Sequence, residues 1–138
     1  MPNIAELTVG HEFPPARHTL RPQDVALYLE AVGDENALYR DDGYVPPTAL
    51  VAYALGELFR IIDLPAGAIH SAQELSLSRP VASSEEVVFR IRLTRNAVMR
   101  GMRFLSVEFT GEDAESRQVI GGRSVVVVPG DDGETGGR

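Results

Sequence analysis

The chain has 138 residues, a formal net charge of -7, no cysteine, and thirteen basic side chains that are all arginine. That length suffices for one domain with a core of its own, and the acidity argues against a general nucleic-acid binder, whose phosphate affinity needs a positive face. Without cysteine or lysine there is no disulfide, thiolate nucleophile, Schiff base or P-loop. The opening residues MPNIAELTVGHEF lack a basic region followed by an apolar one, so a cytoplasmic protein in a reducing compartment is expected.

Phe13 to Leu20, with Pro14 and Pro15 near its start, reads as a short edge strand, because proline cannot donate to a ladder. Arg21-Pro22-Gln23-Asp24 then opens a helix, with proline in the first turn and an acid at the positive end of the dipole. Val25, Leu29 and Val32 fall at i, i+4 and i+7 and form its apolar stripe; Gly33 ends it. The next residues, GDENALYRDDGY over 33–44, are turn formers with many carboxylates, a connecting loop of the kind on which catalytic groups tend to sit.

Pro46 to Leu64 is the stretch the chain is organised around. From Thr48 to Gly56 it has no charged side chain, and Leu50, Val51, Ala54, Leu55, Leu58, Phe59, Ile61 and Ile62 cover nearly every face of a helix. Such a helix is buried on most sides. Pro46 and Pro47 suit its first turn, Asp63-Leu64-Pro65 stops it, and at about 25 Å it is too short to cross a bilayer.

Beyond it the period changes to two. Ile69, Leu75, Leu77 and Val81 suggest a strand ending near Arg79-Pro80; Val87 to Arg95 alternates, with Phe89, Ile91 and Leu93 on one face. Leu105, Val107 and Phe109 alternate with polar residues, and Val119 to Val128 ends in four valines. Turns are expected at Asn96 to Gly101 and Gly111 to Ser116. An antiparallel sheet with one wet face, following a helix apolar all round, curls around that helix: an α+β, hot-dog architecture, as a single domain over residues 1–129 with a disordered acidic, glycine-rich tail at 130–138. The Val125 to Val128 run is too apolar for a free edge, so a second copy or a related chain is expected to cover it, making a dimer.

Helix, Tyr28-x-x-x-x-Gly33-Asp34-x-Asn36, apolar helix, then Arg79-Pro80-Val81 resembles the MaoC-like hot-dog hydratases and dehydratases over roughly residues 7–129. Val45-Pro46-Pro47-Thr48 and His70-x-x-Gln73 with Arg79-Pro80 are most similar to the branch related to the dehydratase region of fatty-acid synthase. The resemblance implies addition of water to enoyl thioesters, or its removal from 3-hydroxyacyl thioesters, of CoA or an acyl carrier; the thioester is substrate, and no cofactor or metal is implied. The family motif G-D-x-N-P-x-H uses Asp and His on one water, because hydration needs two proton-transfer groups within reach of it. Asp34 and Asn36 match, but Ala37 stands for the Pro and Tyr39 for the His, and a phenol of ordinary pKa near 10 is a poor base at neutral pH. The dyad is degenerate.

Other residues are candidates as well. Thr48 and Ala49 offer N–H groups at the start of the apolar helix for a thioester carbonyl. His70 and Gln73 are expected beside the acyl groove, whereas His11 and His18 read as structural or surface residues. Arg90, Arg92, Arg95 and Arg103 form a cluster that is either a solvated strand face or a site for a ligand phosphate. These features favour a heteromer in which a related subunit carries the intact Asp and His. A hydratase using Asp34 with Tyr39 or His70, a thioesterase using Glu57, and an acyl-binding module without activity are the alternatives.

Overall fold

The computed structural model describes residues 3–130, so the expected tail lies, Gly130 apart, outside the described residues. A 3-10 turn (Ile4–Glu6) is followed by β1 (Ala16–Thr19), α1 (Pro22–Val32), α2 (Ala37–Arg40), β2 (Tyr44–Val45), α3 (Pro47–Ile61), β3 (Ile69–Leu77), β4 (Val81–Ala82), β5 (Glu86–Met99), β6 (Met102–Glu112) and β7 (Gln118–Pro129). Five strands form one antiparallel sheet in the order β1-β5-β6-β7-β3, and β2 pairs with β4.

The sheet wraps α3, as the sequence pattern requires. Leu50, Ala54 and Leu58 of the helix share one buried cluster with Phe89 and Leu93 of β5, Val107 and Phe109 of β6, and Ile120, Val126 and Val128 of β7. The helix is not buried all round, however. Ala52, Gly56, Phe59 and Arg60 make an exposed stripe, and Phe59, expected in the core, is 37 % exposed. The cause is the reach of one sheet: five twisted strands enclose a helix on three sides. Val32 is likewise exposed, so the stripe of α1 is Val25 and Leu29 alone.

Four further expectations are corrected. The four valines do not form an edge, because β7 lies between β6 and β3, with Val126 and Val128 buried against α3. The open edge is β3, all of whose residues are exposed, Ile69, Leu75 and Leu77 among them. That strand stops at Leu77, and Val81 belongs instead to β4, paired with Val45. The turn expected at Asn96 to Gly101 is shorter: a register shift between Leu93 and Arg95 lets β5 run on to Met99, and Arg100-Gly101, both with positive φ, make the connection. That shift turns Asn96 to the core side, where its amide donates to the carbonyls of Ile4 and Leu7 at 2.9 Å and so holds the N-terminal segment. Gly111 is part of β6, and the second turn is confined to residues after Glu112.

The outer face of the sheet explains most of the arginine cluster. Arg90 pairs with Glu112 at 3.4 Å, Arg92 with Glu108 at 3.1 Å, and Arg123 with Glu74 at 2.6 Å, each a cross-strand ion pair in water. Arg95 lies 5.3 Å over the Phe104 ring, and Arg103 donates to Asn96 at 2.8 Å.

A separate cluster locks the strand ends. Arg79, just past β3, bonds Glu85 before β5 and reaches Asp113 after β6 at 3.0 Å. Asp113 also accepts the backbone N–H groups of Arg117 and Glu115, which shape the turn into β7. The Arg79 hydrogen bond lowers the Glu85 pKa, and the Arg117 backbone N–H, followed by Arg79, lowers that of Asp113.

Two outcomes follow from this packing. Leu58 is 1 % exposed, so Leu58→Ala should cost about 2–5 kcal/mol in denaturant titration, the range of buried large-to-small changes; a loss below about 1 kcal/mol would place the residue at a surface. Because both carboxylates titrate below their unfolded values, the cluster stabilises the fold above the ordinary carboxylate range near pH 4 and loses that contribution as the pH falls through the lowered values. Arg79→Met should therefore narrow its stability gap to the parent on acidification, read as melting temperature from pH 7 to pH 3; a gap that stays constant would show that the ion cluster is not its source.

Candidate active site

The segment after α1 folds through its own side chains. Gly33, at φ +71°, ends α1 with its N–H on the Leu29 and Glu30 carbonyls. The Asp34 N–H returns to the Leu29 carbonyl at 3.0 Å, while the Asp34 carboxylate accepts the Asn36 N–H at 2.9 Å. The Asn36 carboxamide in turn accepts the Leu38 N–H at 3.0 Å and caps α2. These bonds fix which side chains face outward. Asp34 and Tyr39, both half-buried, line one open cleft of about 780 Å3 between α1 and α2, whereas the Asn36 side chain is spent on the cap.

The cleft is acid-rich. Glu30, Asp34, Glu35 and Asp41 line it, Arg40 is its one cation among the described residues, and no imidazole enters it. One oxygen of Asp34 is committed to the Asn36 N–H, and the Tyr39 phenol lines the same cleft.

Each histidine has another setting. His11 meets Phe13 edge-on at 4.8 Å. His18 lies between the Tyr53 and Phe89 rings, with Nε2 3.3 Å from Glu57 but not aligned as a hydrogen bond. Glu57 thus faces β1 rather than the start of α3, and Arg60 also holds it at 3.0 Å. His70 sits near the start of β3, whose other end leads through Arg79 to β4 and to Ser83 at the cleft. From His70 to Leu77 is roughly 23 Å of extended chain. Within one chain, the pairing of Asp34 with His70 is therefore not made.

At the start of α3 the two expected N–H donors differ. That of Ala49 is taken by the Pro46 carbonyl at 3.0 Å, which closes the first turn, so it does not face a substrate. Thr48 is exposed, and its N–H has no partner among the described residues. Its hydroxyl accepts a 2.7 Å bond from Tyr28, tying α1 to the start of α3. Sequence reasoning quoted Tyr28 only as part of a pattern; twenty residues separate it from Thr48, and periodicity carries no signal for such a bond. The arginines do not gather here: none of Arg90, Arg92, Arg95 and Arg103 lines the cleft. Among the described residues no three acidic or histidine side chains are grouped to hold a metal, and no helix is long and apolar enough to cross a membrane.

Gln73 and His70 do come together, with a partner that the sequence reading missed. The Gln73 carboxamide oxygen lies 3.1 Å from His70 Nε2 and accepts the Ser124 hydroxyl at 2.5 Å. Ser124 is fully buried, and the only sign of it in the sequence is one hydroxyl within the apolar alternation of β7.

Known proteins share this arrangement of elements. The (R)-hydratase from A. caviae involved in PHA biosynthesis superposes with a TM-score of 0.73 at 22% identity, over 90% of this chain and 98% of that one. The MaoC-like dehydratase from Rhodospirillum rubrum gives 0.75 at 16% identity, over 94% and 97% of the two chains. The C-terminally truncated HadBC (3R-hydroxyacyl-ACP dehydratase) complex from Mycobacterium tuberculosis gives 0.72 at 14%, over 86% and 96%. At these identities the likeness establishes the hot-dog fold. No curated protein matches. The sequence profile described as FAS1-like, dehydratase domain region matches residues 7–121, most of the chain, and with the MaoC-like hot-dog fold this identifies the chain as a member of that dehydratase-region family.

Proposed function

We propose that this chain is a subunit of a MaoC-type hydratase or dehydratase acting on an enoyl or 3-hydroxyacyl thioester, and that it supplies the groove while a related subunit with an intact Asp and His moves the protons. The observation that carries this reading is the cleft that Asp34 and Tyr39 line and that no imidazole enters. Hydration delivers hydroxyl to the β-carbon and a proton to the α-carbon, so one water must meet both a base and an acid. Asp34 supplies at most one of the two groups, and without the second it has no water to activate. Thr48, anchored by Tyr28, is the candidate donor to the thioester carbonyl at the start of α3.

The open edge supports a partner. Nine residues of β3 leave one side of their backbone unpaired, and the exposed stripe of α3 lies uncovered. A neighbouring hot-dog chain laid edge to edge on β3 extends the sheet and covers both. The HadBC structure is of a complex, a 3R-hydroxyacyl-ACP dehydratase.

The purified chain alone should hydrate crotonyl-CoA at no more than the background rate. In the assembled complex, Asp34→Asn here should leave turnover within a few-fold, whereas the same change at the aspartate of the intact subunit should lose about 10² to 10⁴, the scale of a positioned acid or base. Tyr39→His should give the lone chain modest hydratase activity. Rapid hydration by the unmodified chain, abolished by Asp34→Asn, would instead assign catalysis to this chain. Acyl-CoA hydrolysis that survives Asp34→Asn and is lost in Glu57→Gln would assign it to a thioesterase.

A further inference from the structure

On β3 the register shifts between His70 and Ala72, so Ser71 is bulged out, its hydroxyl on the Val125 carbonyl at 3.3 Å. In a regular strand residues three apart face opposite ways. The bulge instead puts His70 opposite Val126 and Gln73 opposite Ser124, both on the inner face that looks toward α3.

The hydrogen bonds there admit one assignment. The Gln73 amide nitrogen donates to the Glu74 carbonyl at 2.8 Å, and a carbonyl only accepts, so the carboxamide cannot be turned over. Its oxygen therefore faces Ser124 and His70. That oxygen only accepts, so Nε2 of His70 must carry a hydrogen. In the neutral ring Nδ1 is then a bare acceptor, and it has no partner among the described residues. Gly122 belongs to the same device, since a methyl group there would collide with the Glu74 carbonyl on which Gln73 depends.

A fully buried hydroxyl, a fixed carboxamide and a bulge thus hold one imidazole with its accepting nitrogen unpartnered, on the face of the edge strand that also carries the exposed Leu75 and Leu77. We propose that His70 is a substrate-binding residue whose Nδ1 accepts a hydrogen bond from the acyl thioester, with Gln73 and Ser124 as positioning residues that fix its tautomer. The donor is an amide N–H of the pantetheine arm or the 3-hydroxyl of the acyl chain. This rests on the thioester reading above, and because His70 stands at the far end of β3 from its own Asp34, the bound thioester is one that a neighbouring subunit helps to enclose.

The test uses the full chain labelled with 15N at its three histidines, alone and with its partner subunit, with His70→Asn to assign the ring. Long-range 1H–15N spectra should show the Nε2–H tautomer for His70, converted to a mixture by Gln73→Leu and by Ser124→Ala. Titration with crotonyl-CoA and with 3-hydroxybutyryl-CoA then reads the ligand. His70→Ala should weaken binding about three- to tenfold, the scale of one net hydrogen bond: for both esters if the arm is the donor, for the hydroxy ester alone if the 3-hydroxyl is. His70→Asn, which keeps an acceptor near the Nδ1 position, should restore affinity to within about twofold. An Nδ1–H tautomer in the parent overturns the proposal. So does equal affinity of the parent and His70→Ala for both esters, which leaves the thioester reading standing; failure of the parent to bind either ester removes both.

Discussion

Everything in this molecule depends on one helix having to lose its contact with water. α3 offers Leu50, Ala54 and Leu58 to the inner face of the sheet, and the hydrophobic term for burying each of the two leucines is about 1.5–3 kcal/mol. The sheet must bend around the helix to collect it. The register shifts in β5 and β3 each re-aim side chains. One re-aims Asn96 to pin the N-terminal segment; the other brings His70 beside Gln73.

The polar parts are arranged around this core by short-range rules. Asp34 and Asn36 spend their side chains on neighbouring backbone N–H groups, which makes the loop after α1 a fixed scaffold before any substrate arrives. Tyr28 and Thr48 then join that scaffold to the start of α3. The turn that shapes the cleft is built by Asp34 and Asn36, so its backbone does not depend on the side chain at position 39.

Much of the fold was legible from periodicity. The central helix, α1 with its glycine stop, and the alternating strands of the meander all follow from spacing in the sequence, because each is decided within a few residues. Strand order is not decided there. The valine run of β7 looked like an edge in need of cover, whereas the sheet places it inside and leaves the more polar β3 outside. Phe59 was misplaced for a related reason: a helix that is apolar all round can be buried by its own chain or by two chains, and composition does not distinguish them. In the site, Asp34, Asn36 and Tyr39 were readable as a motif, while the Ser124 contact depends on strand register and had no local signature.

The edge itself has a consequence for how the chain lives before assembly. Strand edges are commonly guarded by a charge that repels a second strand, but the single charge on β3, Glu74, is already neutralised by Arg123 on the next strand. The strand is therefore unguarded against its own kind. Such self-pairing is a second-order encounter, so it grows with the concentration of the chain, and the nine-residue strand stays a template exposed to solvent until another strand covers it.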